Sequence, residues 1–258
     1  MNRMLTHAGR RRGFTLIELL VALGISMALM IVIAEVFLQT RRGYSVQDDQ
    51  ARVQENTRFS VQMLSRALRQ AGYRSNPGAD SGYIFGASTP AVSGTDGGTT
   101  VADQLTVRFQ GSGTGAATST SADNTMFDCL GTAVDYGVMT TSTFAIRSGG
   151  ADGNGLACTN DGGTTWQEIV PGVENMQILY GQDTDGDANA NVYGQIGSVN
   201  ALQIVSVRIS LLLRSPTDTS QIKNTNSYVL NGVTIPAAND SRVRRVVNFT
   251  TNLRNRTP

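Results

Sequence analysis

The chain has 258 residues, of which only 16% are charged and 28 are glycine, and its formal net charge is +1. This length accommodates one sizeable domain with an additional element, and the composition is typical of loop-rich extracytoplasmic β proteins. The balance of charges argues against nucleic-acid binding, because no excess of cations is available to neutralise phosphates.

A long apolar segment follows a basic N-terminus. Residues 14–38 contain only two charges, Glu18 and Glu35, and a helix of this length extends roughly 37 Å, enough to cross a bilayer. The preceding basic residues, with no acid among them, are Arg3, Arg10, Arg11 and Arg12. Arg41 and Arg42 follow the segment, but the larger number of arginines before it favours a single-pass protein of the inner membrane whose N-terminus is cytoplasmic.

Gly13 lies between the basic stretch and the apolar segment, whereas a secretory signal peptide has its small-residue cleavage site after the apolar run. Residues 13–18, Gly-Phe-Thr-Leu-Ile-Glu, resemble the class III signal of type IV prepilins and pseudopilins. The resemblance implies that prepilin peptidase removes residues 1–13 as a leader and that the new amine of Phe14 is methylated. The only histidine, His7, would leave with the leader, and with it the commonest general base near neutral pH.

Glu18 is an unusual residue in an apolar span. A charged side chain at the centre of a membrane helix costs about 2.5–3.5 kcal/mol on insertion scales, so such an acid calls for a partner. The resemblance supplies one, the Phe14 ammonium of a neighbouring subunit, which would pair with Glu18 as the helices stack in a fibre. The alternative is that Glu18 lies near the cytoplasmic end of the span and reaches the lipid headgroups.

Residues 44–72 predict an amphipathic helix, with Gly43 as a point at which the chain can loosen. The apolar positions recur every three or four residues and are Val53, Thr57, Val61, Leu64, Leu68 and Ala71. The charged positions expected on its other sides are Asp48, Asp49, Arg52, Glu55, Arg58, Arg66 and Arg69. Gly72 and Pro77 are expected to end it. We therefore predict one long helix over 14–72, with 14–38 in the membrane or fibre core; an anchor joined to an unrelated helix is the alternative.

Short strand signals alternate with turn residues from residue 73 onward. Strands are predicted at 104–109, 143–147, 173–180, 203–214 and 242–253. The alternation in 203–214 predicts one buried face, and the stretches 88–100 and 111–125 are predicted to be long loops. The sequence thus predicts an α+β fold with a β-rich headgroup spanning 73–258. The resemblance to prepilins implies that the second half of the long N-terminal helix packs on an antiparallel sheet of this headgroup.

Two cysteines, Cys129 and Cys158, lie in the Gly- and Thr-rich middle of the chain. Neither is near a histidine, so neither a zinc-ligand spacing nor a Cys–His nucleophile is available. We expect them to form a disulfide, in keeping with an oxidising compartment.

Asp183, Asp185 and Asp187 alternate in a manner that matches the opening positions of an EF-hand-type loop. Ala188 stands where that loop requires glycine, and Gly194 where it requires a bidentate glutamate. The sequence leaves two interpretations open, a calcium site completed by water or a distant carboxylate, and an ordinary charged turn. Calcium aside, no cofactor is expected.

A basic cluster lies near the C-terminus and comprises Arg242, Arg244, Arg245, Arg254 and Arg256. Strand alternation places its members on opposite faces, and no aromatic residues interleave with them to stack on bases. We expect a solvated or partner-facing strand rather than a nucleic-acid site.

The downstream half resembles PilW-type minor pilins. The resemblance rests on residues 169–181 (IVPGVENMQILYG), 183–187 (DTDGD), 205–215 (VSVRISLLLRS) and 253–256 (LRNR). It implies a non-enzymatic subunit that joins other minor pilins and the major pilin, works with the inner-membrane assembly platform, and initiates an extracellular pilus at its tip, where an adhesin is a further partner. A minor pseudopilin of a type II secretion system would share the leader, Glu18 and the fold. A single-pass anchored surface-binding protein or enzyme would keep residues 1–13.

Overall fold

The computed structural model describes residues 13–75, 85–86, 88–99, 101–113, 121–150, 153–218 and 223–255. Within these residues the chain forms one long α-helix, a short 3₁₀ helix at Ala201–Gln203 and eleven strands. The predicted leader before Gly13, the predicted helix stop Pro77, part of the predicted loop 111–125, and Arg256 all lie outside them. The chain divides into two compact units, Met1–Gln47 and Asp48–Pro258.

The long helix, α1, runs from Leu16 to Gln70 and continues through Gly43. In the first unit its apolar side chains are exposed, and in the described part of the chain α1 is the one helix long and apolar enough to cross a membrane. At the other end, Gly72 adopts a positive φ of 75°, and the amide of Asn255 donates to the carbonyls of Arg69 and Ala71 at 3.1 and 3.2 Å. These contacts satisfy acceptors that a helix end otherwise leaves unpaired.

The second unit contains the rest of α1, whose buried face largely follows the predicted stripe. Val53, Leu64 and Leu68 belong to the hydrophobic core. The prediction that Asp49 lies on a solvent-facing side is wrong, because its residue is only 3% exposed and its carboxylate accepts a hydrogen bond from the hydroxyl of Thr217. A segment distant in sequence covers this position, and helical periodicity alone does not predict such cover.

Five strands form the first antiparallel sheet in the order of the chain. They are β1 (Val92–Thr95), β2 (Gln104–Gln110), β3 (Met139–Gly150), β4 (Gly153–Thr159) and β5 (Gln167–Pro171). β1 lies inside the stretch 88–100 that we predicted to be a loop. It forms a strand because Val92 is buried and pairs with Val107 of β2.

The remaining strands are β6 (Val173–Gln182), β7 (Val192–Gly194), β8 (Ile204–Arg214), β9 (Tyr228–Leu230), β10 (Val233–Ile235) and β11 (Arg244–Asn252). Four of them form a second antiparallel sheet in the order β11-β8-β6-β7, and β9 pairs with β10 as a hairpin. A core shared by α1 and both sheets fills the unit. The α+β architecture with a long N-terminal helix on antiparallel strands is therefore confirmed.

Gly172 and Asp103 connect the two sheets. Gly172 joins β5 to β6 with a φ of 76°, and a Cβ there would lie 2.8 Å from the carbonyl oxygen of Arg214, so only glycine fits. The buried carboxylate of Asp103 accepts hydrogen bonds from the backbone N–H groups of Ile178 and Gly97 at 2.7 and 2.8 Å. These two bonds lower the pKa of Asp103, but burial raises it by more, so the pKa lies above its usual value. The Asp103 carboxylate thus accepts a backbone hydrogen bond from β6 that a neighbouring strand would otherwise accept.

Both faces of β8 are buried, so the prediction of one buried face was incomplete. One face contributes Val207, Ile209 and Leu211 to the core beneath α1. On the other face, the hydroxyl of Ser206 donates to Tyr193 Oη at 2.9 Å, and the amide of Asn231 in the β9–β10 turn donates to the carbonyl of Gln177 on β6 at 2.7 Å. Polar residues on this face are satisfied by protein groups rather than by water.

The predicted disulfide between Cys129 and Cys158 is present, with the two Cα atoms 6.3 Å apart. It fastens the loop that precedes β3 to the buried end of β4. The two residues are 29 positions apart. On the chain-entropy model, closing a loop of this length stabilises the fold by roughly 3–4 kcal/mol.

Candidate functional site

The start of α1 forms a capping box between Thr15 and Glu18. The Thr15 N–H donates to Glu18 Oε2 at 2.9 Å, and the Glu18 N–H donates back to Thr15 Oγ1 at 3.3 Å. The Thr15 hydroxyl also donates to Glu18 Oε2 at 3.0 Å. Reciprocal bonds of this kind satisfy backbone donors that the first turn leaves unpaired. The Thr-x-x-Glu spacing is the sequence signal of a capping box, which we did not predict.

The capping box occupies only one oxygen of the Glu18 carboxylate. Both bonds from Thr15 go to Oε2, and no donor to Oε1 is found in the described part of the chain. The residue is also exposed. The carboxylate is thus held in place by its own helix while one oxygen can still accept a bond from a cation outside the chain.

The surface around Glu18 is apolar. Large apolar side chains from Phe14 to Leu38 are exposed, Phe14 at 90%, and soluble monomers rarely expose contiguous apolar surface of this kind. Gly13 directly precedes it, and a Cβ on Gly13 would meet nothing within 4 Å. No packing in the described structure therefore requires glycine at position 13, whereas a peptidase site that demands a small residue would.

The three aspartates after β6 are brought together as the sequence predicts. One carboxylate oxygen from each of Asp183, Asp185 and Asp187 lies within 4.8 Å of the others. The N–H groups of Gly186 and Ala188 donate to the Asp183 carboxylate at 2.7 and 2.9 Å. The bond from Gly186 is the main reason that the pKa of Asp183 is lowered.

Ala188 adopts a positive φ of 66°, the conformation for which an EF-hand-type loop uses glycine at this position. The missing glycine therefore does not prevent the turn. The bidentate glutamate of such a loop is still replaced by Gly194. The donor set suits a hard cation only if water or another acid completes it, so calcium binding remains a prediction.

The calcium interpretation predicts that millimolar calcium raises the melting temperature of the detergent-solubilised chain, because an ion that binds only the folded state stabilises it. Asp185→Ala should abolish the rise, and it spares the Asp183 carboxylate on which the turn depends. Differential scanning fluorimetry measures the shift, with sodium chloride of equal ionic strength as the control. An unchanged melting temperature would identify the loop as a charged turn.

The prediction that the C-terminal arginines are solvated or face a partner is wrong for Arg244. The Arg244 side chain is 2% exposed, and its guanidinium donates to Glu174 Oε2 and Oε1 at 2.7 and 2.9 Å. It also donates to Asp240 Oδ2 at 2.7 Å. Arg242 donates to the carbonyls of Ser215 and Pro216. Arg244 is therefore internal and Arg242 is half-buried, whereas Arg245 and Arg254 are exposed.

Two family models match parts of the chain. The model of the family described as Type IV Pilus-assembly protein W (PilW) matches residues 143–255, and that of the prokaryotic N-terminal methylation motif matches residues 9–34. Among solved structures, the chain is similar to the type IV-like pilin TTHA1219 from Thermus thermophilus, with 14% identity, a TM-score of 0.47, and coverage of 78% of this chain and 96% of that one. No curated protein matches. The methylation motif at the start of the apolar helix and the PilW region from β3 to the end of β11 show that the chain is a type IV pilin-like protein with a PilW domain and a prepilin motif.

Proposed function

We propose that the mature protein begins at Phe14 and takes part in initiating type IV pilus assembly at the fibre tip. The observation that carries the proposal is the order of features at the N-terminus. Gly13, which no packing requires, directly precedes an exposed apolar helix whose first turn holds an accessible carboxylate. The chain acts structurally, and prepilin peptidase acts on it.

Cleavage after Gly13 creates a new α-amine on Phe14 and removes the basic leader. Before cleavage, the arginines ahead of the span hold the N-terminus on the cytoplasmic side of the inner membrane. Moving them through the bilayer would be costly, at about 2.5–3.5 kcal/mol for each arginine at the centre of the span. Removal of the leader therefore lets the helix leave the membrane and enter a fibre.

Glu18 guides the stacking of the helices. The Phe14 ammonium of a neighbouring subunit donates to the Oε1 atom, while the capping box keeps Oε2 bound to Thr15. In the apolar surroundings of packed helices an unpaired carboxylate is strongly disfavoured, so the pair favours one axial register over others. The exposed apolar side chains of residues 14–38 then pack against other pilins in place of lipid.

We expect Glu18→Gln to leave cleavage and membrane insertion intact and to exclude most of the protein from pili. Glutamine is also accepted at this position of a capping box, so the substitution removes the charge and keeps the helix start. Immunoblots of the membrane and of sheared pili measure the two populations. Incorporation equal to that of the unmodified protein would contradict the pairing role.

Thr15→Ala is the matched control. It removes the capping hydroxyl, at a cost of about 0.5–2 kcal/mol to the helix end, and keeps the Glu18 charge. Because the pairing depends on charge, this variant should enter pili far better than Glu18→Gln. Equal defects would mean that Glu18 acts through the capping box alone.

Mass spectrometry of the protein isolated from pili tests the proposed processing. The expected N-terminal peptide begins with methylated Phe14, and residues 1–13 attached to native pilus protein would overturn it. The tip position is tested by immunogold labelling of intact pili. Label at one end of each fibre supports initiation, and label along the shaft contradicts it.

A further inference from the structure

A groove of about 720 Å³ lies between the second half of α1 and the end of β11. Arg58 and Arg69 line it on the helix side, and Thr250, Asn252 and Arg254 line it on the strand side. All of these residues belong to the second compact unit. The processing motif and Glu18 lie elsewhere in the chain, so this groove is independent of the site described above.

β11 is the edge strand of the four-stranded sheet. The Leu253 N–H donates to the carbonyl of Val205, and the Ser215 N–H donates to the carbonyl of Val243, each at 2.8 Å. Odd-numbered residues at both ends therefore direct their backbone groups toward β8. Since these directions alternate along an antiparallel strand, the N–H and C=O groups of Thr250 and Asn252 point away from β8. They lie along an edge beside the groove that no strand of the described residues pairs with.

Residues 246–252 of this edge lack the devices that usually protect an edge strand. β11 pairs with β8 through nine consecutive residues without a bulge, and residues 246–252 contain neither a charge nor a proline. Natural sheets commonly use bulges, lysines or prolines to prevent another strand from adding to an edge. Their absence over this stretch favours an edge that receives a strand.

The charge of the groove indicates what kind of strand fits. Arg58, Arg69 and Arg254 are exposed, and no acid is among the lining residues. Arg58 and Arg69 lie about three turns apart on α1, roughly 16 Å at the helical rise, which corresponds to about five residues of an extended chain. An added strand with acidic side chains on its helix-facing side would meet both guanidinium groups.

We propose that an extended acidic segment of another polypeptide binds here by adding to β11 as a further strand. Its backbone pairs with Thr250 and Asn252, and its alternate Asp or Glu side chains contact Arg58 and Arg69. Main-chain hydrogen bonds supply affinity in this mode of recognition, and the alternate side chains supply specificity. The surface adds to the proposed role in the fibre and does not depend on leader cleavage or on Glu18.

A fluorescent synthetic peptide of alternating Glu and Thr residues is the probe, added to the full chain in detergent micelles. We expect the fluorescence anisotropy of the peptide to rise on binding, and the backbone amide hydrogens of Thr250 and Asn252 to exchange more slowly with solvent. A peptide of alternating Lys and Thr should do neither. Failure of the acidic peptide to bind, or equal binding of the basic one, would overturn the proposal.

Substitutions separate the ionic contacts from strand addition. Arg58→Gln combined with Arg69→Gln should weaken binding on the order of tenfold, since each exposed ion pair contributes modestly. Arg66→Gln is the control for each single substitution, because it also removes one charge from the same helix, and the Arg66 side chain stacks on Phe127 away from the groove. Equal losses from Arg66→Gln would show that net charge alone matters and would overturn the proposal.

Thr250→Pro removes an outward N–H and leaves the bonds to β8, which use the other residues of the strand. It should abolish most of the peptide binding and the slowed exchange of the Asn252 backbone amide. Asn252→Pro should likewise abolish most of the binding and the slowed exchange of the Thr250 backbone amide. The exchange measurement on the unmodified chain remains decisive if either variant folds poorly. Peptide binding without slower exchange of these amides would indicate ionic adhesion only. Slower exchange that increases with protein concentration in the absence of peptide would indicate that a second copy of this chain pairs with β11. Either result would overturn the proposed acidic partner.

Discussion

Replacing Gly13 with arginine is expected to abolish removal of the leader and to exclude the protein from pili. The peptidase site requires a small residue before the cut, and arginine is large and charged. The substitution should not disturb the fold, because nothing lies within 4 Å of a Cβ at this position. Membrane insertion is expected to persist, since an additional cytoplasmic arginine strengthens the existing orientation signal. Mass spectrometry of the membrane fraction should show the uncut N-terminus, and sheared pili should contain none of the variant.

Gly24→Ala serves as the control, because Gly24 is also a glycine without neighbours within 4 Å but lies inside α1. This variant should be cleaved normally. If Gly13→Arg protein were found in pili with residues 1–13 attached, leader removal would not be required for assembly. The proposal that processing frees the helix would then be wrong.

The sequence predicts the N-terminal features well because they are local. The signal residues lie within six consecutive positions, and the apolar span is a single stretch with only two charges. Even here one role was missed. Thr15 and Glu18 have the spacing of a capping box, yet the two roles considered for Glu18 were pairing with a neighbouring subunit and contact with lipid headgroups.

Strands were predictable where side chains alternate and less so elsewhere. β8 alternates clearly, whereas β4 reads Gly-Asn-Gly-Leu-Ala-Cys-Thr and is held by its neighbours β3 and β5 rather than by its own pattern. The β9–β10 hairpin was not predicted, although Asn231-Gly232 between two apolar runs is a strong hairpin signal. The turn of this hairpin covers the second face of β8. Because the hairpin was missed, only one face of β8 was expected to be buried.

The internal charges could not be predicted from local patterns. Glu174 and Arg244 are 70 positions apart in sequence, and strand alternation indicates which face a side chain occupies but not what covers that face. Asp103 is a similar case, because its carboxylate replaces a strand partner for Ile178, which is 75 positions away. Buried ionic groups depend on tertiary contacts that become apparent only in the folded chain.

Arg244→Ala is expected to lower the free energy of unfolding by about 3–5 kcal/mol, because removing one member of a buried ionic cluster leaves uncompensated charges. The carboxylates of Glu174 and Asp240 are only 16% and 26% exposed. Urea unfolding of the detergent-solubilised chain, followed through its single tryptophan, Trp166, measures the loss. The hydrogen bonds from Arg244 lower the pKa of Asp240 to about 2 from 3.8. This contribution is therefore complete above about pH 4 and is lost as the pH falls toward 2, so the difference between the two proteins should narrow in acid.

Two further variants separate the geometry of this contact from its charge. Arg244→Lys keeps the charge, but one ammonium cannot reproduce the paired bonds that a guanidinium makes to two carboxylates, so its stability should fall between those of the unmodified protein and Arg244→Ala. Arg245→Ala removes a charge from the next, exposed position of β11 and should change the free energy of unfolding by no more than about 0.5 kcal/mol. Similar losses for Arg245→Ala and Arg244→Ala would mean that net charge, rather than the internal ion pairs, stabilises this end of the sheet.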